Sequence, residues 1–381
     1  MKTYGVQYLG SKSKLTKYII NLTNNLNVKT AVDVFTGTTR VAQALRQNGI
    51  KVITSDLSEA SQVYSNALVK QQNNSHLQKY IDKMNSFEGY KGWITENYSG
   101  GEEWEEDKGD GRYIYPSNAM KADAARDYIE TLDLNVIDKD TLICSIIFAI
   151  NKVNNSVGQQ QAYLKDWCTR SKNDIIFLLP PQLKGPKGGH IVGDCLKINY
   201  PSSDLAYLDP PYTSTVAYHT YYHIWDSIAL WDKPKTGGKA RRRIDRVKRN
   251  NKENYNETFL DIPWYDTKNL DNIKENGSYK AFKSMVEKLD SKYIMISYSN
   301  ESIISLEQMV ELLSQYGDTE VYEIDHKRMI MGSIGHSSKN KVISSNNPNV
   351  TEYIFLLTKT PTPHMYGCKL RMHKQLTKMG A

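Results

Sequence analysis

Apolar and polar positions alternate in regular units over the first part of the chain. "TAVDVFTGTTRVAQALRQNG", Thr30 to Gly49, reads as a short apolar strand, a Gly/Thr turn and a helix closed by Gly49. "IKVITSDLSEA" follows as a second strand that ends on Asp56, with a helix starting near Ser58. With a short helical stretch ahead of them, these segments form a βαβ unit of the doubly wound type. From about Gln71 to Gly189 the alternation stops. "YSGGEEWEEDKGDGRYIYPSN" is acidic, Gly-rich and aromatic, Asp123 to Asn151 has helical apolar spacing, and "NKVNNSVGQQQAYLKDW" is polar and amide-rich. The strand pattern resumes at "HIVGDCLKINY" and "DLAYLDPPY". "AFKSMVEKLD" then reads as an amphipathic helix, "KYIMISYSN" as a buried strand, and "TEVYEIDHK" and "NVTEYIFLLTK" as two more strands. The expected architecture is α/β, a twisted, mostly parallel sheet with helices on both faces, interrupted by insertions. The tail from Pro361 to Ala381 is basic and is expected to be loosely held.

Composition narrows the class. In 381 residues, 39% hydrophobic content suffices for a substantial core. No apolar run approaches the roughly 20 residues of a membrane span, and "MKTYGVQYLG" lacks the apolar stretch of a secretion signal, so a cytoplasmic protein is expected. Cys144, Cys168, Cys195 and Cys368 are too widely spaced for a zinc knuckle or a disulfide framework. The net charge of +7 is modest, yet Lys233 to Lys252 carries ten basic residues against the single acid Asp245. Such a run is the footprint of a polyanion contact; its alternative is a solvated basic loop. Arg241, Arg242, Arg243, Arg246, Lys248 and Arg249 are its candidate contacts.

The candidate chemistry sits where strands end. Gly37 follows the first strand, lets backbone approach a ligand, and precedes a helix N-terminus with free N–H groups. Asp56 ends the next strand 19 residues later, where an acid commonly accepts hydrogen bonds from ribose hydroxyls. The G-x-G-x-x-G spacing is absent, which favours a nucleoside ligand over a dinucleotide. In "LAYLDPPYTST" the two prolines forbid both a helix and further sheet pairing, so the strand must stop at Asp209. An acid and an aromatic are thereby fixed at a strand's carboxyl end, where ligands sit in open α/β sheets. An ordinary turn would look the same. His219 and His223 stand at i, i+4 with Asp226 beyond, a spacing zinc can use, but the H-E-x-x-H glutamate is missing; packing or contact with a polyanion is expected, and no metal.

Taken in order, "YLGSK" (Tyr8 to Lys12), "FTG" (Phe35 to Gly37), Asp56, "GDC" (Gly193 to Cys195) and "DPPY" (Asp209 to Tyr212) resemble the series found in the Dam-like, D12-class adenine-specific DNA methyltransferases of the α arrangement. The resemblance implies a class I S-adenosylmethionine-dependent methyltransferase fold, a Rossmann-like sheet with DNA-recognition insertions. It implies that Tyr8 and Lys12 contact S-adenosylmethionine, that Phe35, Thr36 and Gly37 line its methionine end, that Asp56 holds the ribose, and that Asp194 and Cys195 pass its adenine, with Asp209 also bordering the cofactor. One departure stands out: the family usually shows F-x-G-x-G, and Thr39 replaces the second glycine. Asn151, Lys152 and Asn155 fall in a segment resembling the family's recognition region, where the alternative is a helix end capped by its amides. Tyr218 and His219, in "AYHT", resemble the loop that meets DNA beside the target base.

Asp-Pro-Pro-Tyr then has a concrete chemistry. Hydrogen bonds from an adenine amine to the Asp209 carboxylate and the Pro210 carbonyl would aim its lone pair at a methyl group, Pro211 would stiffen the turn, and Tyr212 would stack on a base flipped out of the duplex. The resulting expectation is site-specific N6 methylation of adenine in double-stranded DNA, within a restriction-modification system that pairs the enzyme with a separately acting restriction endonuclease, an orphan regulatory methylase being equally compatible. The chain is expected to be a monomer or weak dimer. Alternatives are cytosine-N4 or RNA adenine methylation, or a catalytically silent DNA-binding protein on the same fold. The sequence divides into a catalytic domain (1–71, 191–231 and 276–360), a target-recognition insertion (72–190), a basic insertion (232–275) and the tail (361–381).

Overall fold

A computed structural model describes residues 1–7, 11–100, 111–156, 158, 160, 162–211, 219–246, 263–266, 268–327, 349–360 and 370–373. The chain divides into two compact units, Met1–Ile198 with Ala217–Asp261 and Asn199–Val216 with Ile262–Ala381. In chain order the first unit runs α1 (Thr16–Asn24), β1 (Thr30–Asp33), α2 (Arg40–Gln47), β2 (Lys51–Asp56), α3 (Glu59–Ser65), α4 (Gln78–Asn85), α5 (Trp93–Tyr98), α6 (Pro116–Glu130), α7 (Val136–Val153) and β3 (Gly189–Val192). The second unit opens with β4 (Ser203–Leu208); α8 (His219–Leu230), β5 (Thr236–Gly237) and β6 (Arg242–Arg243) return to the first. The second unit continues with α9 (Gly277–Lys288), β7 (Ser291–Ser299), α10 (Leu306–Leu313), β8 (Gly317–Lys327), β9 (Asn349–Lys359) and β10 (Leu370–His373).

Within the first unit β1 pairs with β2 and β2 with β3, all parallel, and Ala31, Val32 and Val52 are sealed inside, as parallel strands covered on both faces require. The segment read from sequence as an excursion supplies helices. The single helical span expected over Asp123 to Asn151 is two helices, α6 and α7, because "TLDLN" breaks the pattern and Asn135 caps the second through N–H bonds from Ile137 and Asp138. Apolar faces of α4 to α8 meet α3 in one core that includes Leu68, Ile81, Ile94, Ile129, Ile146 and Ile228. Each helix therefore hides its apolar stripe against its neighbours.

An extended stretch over residues 173–180 crosses this bundle without a strand partner among the described residues, and asparagine amides take that partner's place. Asn118 accepts from Ile175 N (2.8 Å) and donates to Ser171 O (3.0 Å) and Asn173 O (2.8 Å). Asn85 both accepts from and donates to the backbone of Phe177 at 2.9 Å, and Asn74 donates to Pro180 O at 2.8 Å. An amide side chain offers the same donor and acceptor as a peptide, so a buried backbone can be satisfied this way.

The second unit is a sheet of order β10-β8-β9-β7-β4. β4 lies parallel to β7, with Leu208 opposite Ile296, and β10 lies parallel to β8. β9 runs antiparallel to both β7 and β8, so the mostly parallel expectation needs this one reversed strand. The tail also departs from expectation: Leu370–His373 form an edge strand rather than a loose end, pairing their backbone with Thr319–Tyr322. The described helices include none long and apolar enough to cross a membrane.

Candidate methyl-transfer site

The first group of site residues belongs to the first unit and gathers on Asp56. Gly37, at φ +48°, turns its N–H onto Asp56 Oδ2 (2.8 Å), and Ser58 N–H reaches Oδ1 (3.0 Å). Gly193 N–H donates to the Asp56 carbonyl (3.0 Å), which brings the "GDC" segment alongside, and Asp194 Oδ1 then accepts from Leu196 N (3.0 Å). Phe35 and Asp56 are half-buried, while Thr36, Gly37 and Cys195 are buried. Burial pushes the Asp56 carboxyl above its ordinary value, and the N–H bonds from Ser58, Gly37 and Leu57 pull the other way. Three N–H bonds leave only part of the carboxylate's capacity of roughly four lone-pair directions for a hydroxyl. Lys12 is buried in a 3-10 turn, Lys12–Lys14. Tyr8 lies outside the described residues.

Thr39 sits at φ +60°, a conformation in which a β-branched residue is strained by about 1–3 kcal/mol. Its hydroxyl accepts from Gln43 Nε2 at 2.8 Å, a bond worth about 1 kcal/mol net. The backbone here holds a positive φ that glycine adopts most readily, and the hydroxyl offsets part of the strain.

Asp209 and the two prolines belong to the second unit. β4 is buried from Leu205 to Leu208, and Tyr207 OH shares a hydrogen bond with Ser297 Oγ of β7 (2.7 Å), which fixes the strand's register. Asp209 and Pro211 emerge half-buried after it, with Pro210 buried between them. Tyr212 and Tyr218 lie outside the described residues, as does the side chain of His219.

Several expected DNA contacts are spent elsewhere. Asn155 is fully buried; it donates to Arg112 O and Leu164 O, both at 3.1 Å, and accepts from Cys168 N (2.9 Å), so it fixes a loop and has no face left for a base. Arg243 is buried between Asp232 and Asp245, which raise its pKa against the pull of burial. Its charge is neutralised in place and it staples the β5–β6 hairpin. Asn151 accepts from Gln7 N (3.3 Å), whereas Lys152 is exposed and Arg241 and Arg242 are half-buried. The side chain of Arg246, and Lys248 and Arg249 entirely, lie outside the described residues. The histidine and acid weighed for zinc have packing roles: His223 Nε2 meets Gln160 O (3.2 Å), and Asp226 accepts from Ser58 Oγ (2.6 Å) and Ala60 N (3.1 Å), capping α3.

Gln160 is a residue the sequence did not single out. Its side chain accepts from Ile224 N (2.7 Å) at the kink in α8, where Tyr222 leaves helical geometry at φ −134°, and its carbonyl also accepts from Tyr113 OH (2.6 Å). The amide-rich segment is thereby tied to the helix that follows "DPPY". An amide row such as "GQQQ" gives no hint of which glutamine turns inward.

A family model described as D12 class N6 adenine-specific DNA methyltransferase matches residues 8–312. The chain belongs to this family. Its α/β architecture is accordingly that of a class I methyltransferase of the D12 class, and the resemblance read from "FTG", Asp56 and "DPPY" is borne out. The chain is 25% identical over 358 residues to modification methylase LlaI of Lactococcus lactis subsp. lactis, covering 87% of this chain and 52% of that one. It is 26% identical over 372 residues to type II methyltransferase M.NlaIII of Neisseria lactamica, covering 93% and 100% respectively. It is also 26% identical over 363 residues to type II methyltransferase M.CviAII of Paramecium bursaria Chlorella virus 1, covering 92% and 98%. The chain therefore spans about half the length of the first of these relatives and the whole of the second.

Proposed function

We propose that the protein methylates N6 of adenine at a specific site in double-stranded DNA, with the residues around Asp56 holding S-adenosylmethionine and Asp209 and Pro210 holding the acceptor amine. The observation that carries this reading is an acid delivered half-exposed at the end of a buried parallel strand and followed at once by two prolines, in a chain of the adenine-specific family. The residues around Asp56 suit the methyl donor: a carboxylate with spare lone pairs accepts ribose hydroxyls, and Gly37 leaves room for close backbone approach. When bound, S-adenosylmethionine supplies an electrophilic methyl group.

The residues of the chain do the rest. An adenine amine is a poor nucleophile because its lone pair is delocalised into the ring. The Asp209 carboxylate and Pro210 carbonyl each accept one N6–H, which favours a tetrahedral nitrogen and aims the lone pair. Proline's fixed φ holds that carbonyl still. Tyr212 stacks on the flipped base, recovering about 1–3 kcal/mol of an extrusion cost of a few kcal/mol. The modified sites shield DNA from a cognate nuclease, in keeping with the names of the relatives.

Tritiated methyl transfer to unmethylated DNA tests the reading, followed by digestion to nucleosides. N6-methyladenine is the expected product, and Asp209→Ala lowers the rate by roughly 10²-fold or more while DNA binding persists. N4-methylcytosine, or no transfer by the unaltered protein, overturns it.

A further inference from the structure

Residues 2–5 are fastened to α2 by side chains. Arg40, Gln43 and Gln47 stand at i, i+3 and i+7 on α2, so the helix presents them in one row. Gln47 Nε2 donates to Lys2 O (3.0 Å), and Arg40 donates to Thr3 O and to Gly5 O (3.0 Å). Gln43 donates to Tyr4 O (2.7 Å) and accepts from Tyr4 N–H (2.8 Å), reading that residue as a neighbouring strand would. The same Gln43 amide nitrogen donates to Thr39 Oγ1 (2.8 Å), and Gln43 is fully buried. One side chain thus binds both the segment leading to Lys12 and the turn that holds Gly37.

We propose that Gln43 is a positioning residue for the cofactor: it sets the register of the N-terminal segment against the Thr36–Thr39 turn, and affinity for S-adenosylmethionine depends on that register. The proposal rests on the reading that this turn and Asp56 hold the cofactor. Among the described residues the Gln43 side chain hydrogen-bonds to the backbone of Tyr4 and Thr38 and to Thr39 Oγ1, so its effect must pass through the groups it aligns. A residue serving stability alone would lower the melting temperature and leave the affinity of the folded protein unchanged.

The experiment is calorimetric titration of S-adenosylmethionine into the full chain, with steady-state methyl transfer to unmethylated, enzymatically amplified DNA, for the unaltered protein, Gln43→Met and Gln43→Glu. Methionine keeps the volume and removes every hydrogen bond; glutamate keeps the acceptor for Tyr4 N–H but sets a second, negative oxygen against Tyr4 O. Both variants should bind more weakly than the unaltered protein, Met by about ten-fold, the equivalent of one or two hydrogen bonds. KM for the cofactor should follow Kd, and kcat at saturating cofactor should change far less. Equal Kd in all three proteins, or a fall in kcat with KM unchanged, overturns the proposal. Where the Met variant does not fold, Gly5→Ala serves: its added Cβ would stand 3.1 Å from both Arg40 Nε and Thr38 Cβ, pressing the segment off the turn without removing a partner. Weakened binding there supports the role, and unchanged binding overturns it. Failure of the unaltered protein to bind in the same titration would instead overturn the cofactor reading on which the proposal rests.

Discussion

At Thr39 two costs oppose each other, and their balance is measurable. Thr39→Gly relieves the positive-φ strain and gives up the hydroxyl that Gln43 meets; Thr39→Val keeps the strain and loses the bond. Urea unfolding should therefore rank Gly close to the unaltered protein, within about 1 kcal/mol, and Val lower by about 1–3 kcal/mol, since Gln43 is then left with an unmet buried donor. Asp56 makes a pH-dependent prediction. Its carboxyl is held above the ordinary aspartate value by burial, so in the folded state it takes up a proton at a higher pH than in the unfolded chain. Between the two values the native state binds more protons, and the strain of the buried charge is relieved as the pH falls. The ionised form is the better acceptor for ribose hydroxyls, so S-adenosylmethionine affinity should decline on acidification, starting above the normal aspartate range. That limb should vanish from the Kd–pH profile of Asp56→Asn. Gly37, Asp56 and Asp209 were legible in the sequence because each stands at a strand end, where a glycine, an acid or a proline pair has few structural uses. Gln43 was not: a polar residue on an amphipathic helix reads as a solvated face, and only the fold shows that the face is covered by the chain's own beginning.

Among the elements, α8 carries more of the architecture than its sequence suggests. Asp226 caps α3 across the fold, and Gln160 supplies the acceptor that the kink at Tyr222 withholds from Ile224 N. Sequence spacing offered His219 and His223, with Asp226 beyond, to a metal because i, i+4 geometry is shared by ligands and by ordinary packing; at His223 and Asp226 burial and partners separate the two. The β5–β6 hairpin shows the same ambiguity in charge. Counting basic residues could not tell Arg243, enclosed by two aspartates, from Lys239, which is exposed. Arg243→Gln should destabilise the fold by about 1–3 kcal/mol and leave the salt dependence of DNA binding unchanged. Lys239→Gln should do the reverse, with stability within about 0.5 kcal/mol and a log K against log salt slope shallower by about one. Denaturation curves and a salt titration of binding check both.

For the molecule as a whole, helices and strands with strong periodicity were predictable, from the Thr30–Asp56 βαβ unit to the last two long strands. The basic tail was not, since the alternation of Leu370–His373 spans only four residues, too short to read as a strand until β8 presents an edge for it to pair with. Removing residues 361–381 should bare that edge and raise concentration-dependent aggregation, measurable by light scattering, because an unpaired strand edge is a template for another chain. The amide-held stretch over residues 173–180 bears on how the molecule ages. Slow hydrolysis of an asparagine amide leaves a carboxylate, which accepts hydrogen bonds but cannot donate them. At Asn85 and Asn118 that change would set a negative oxygen against the backbone carbonyls of Phe177 and of Ser171 and Asn173, turning attraction into repulsion. Wherever that hydrolysis reaches Asn85 or Asn118 the fold should lose about 1–3 kcal/mol, a loss that Asn85→Asp and Asn118→Asp should reproduce in urea unfolding.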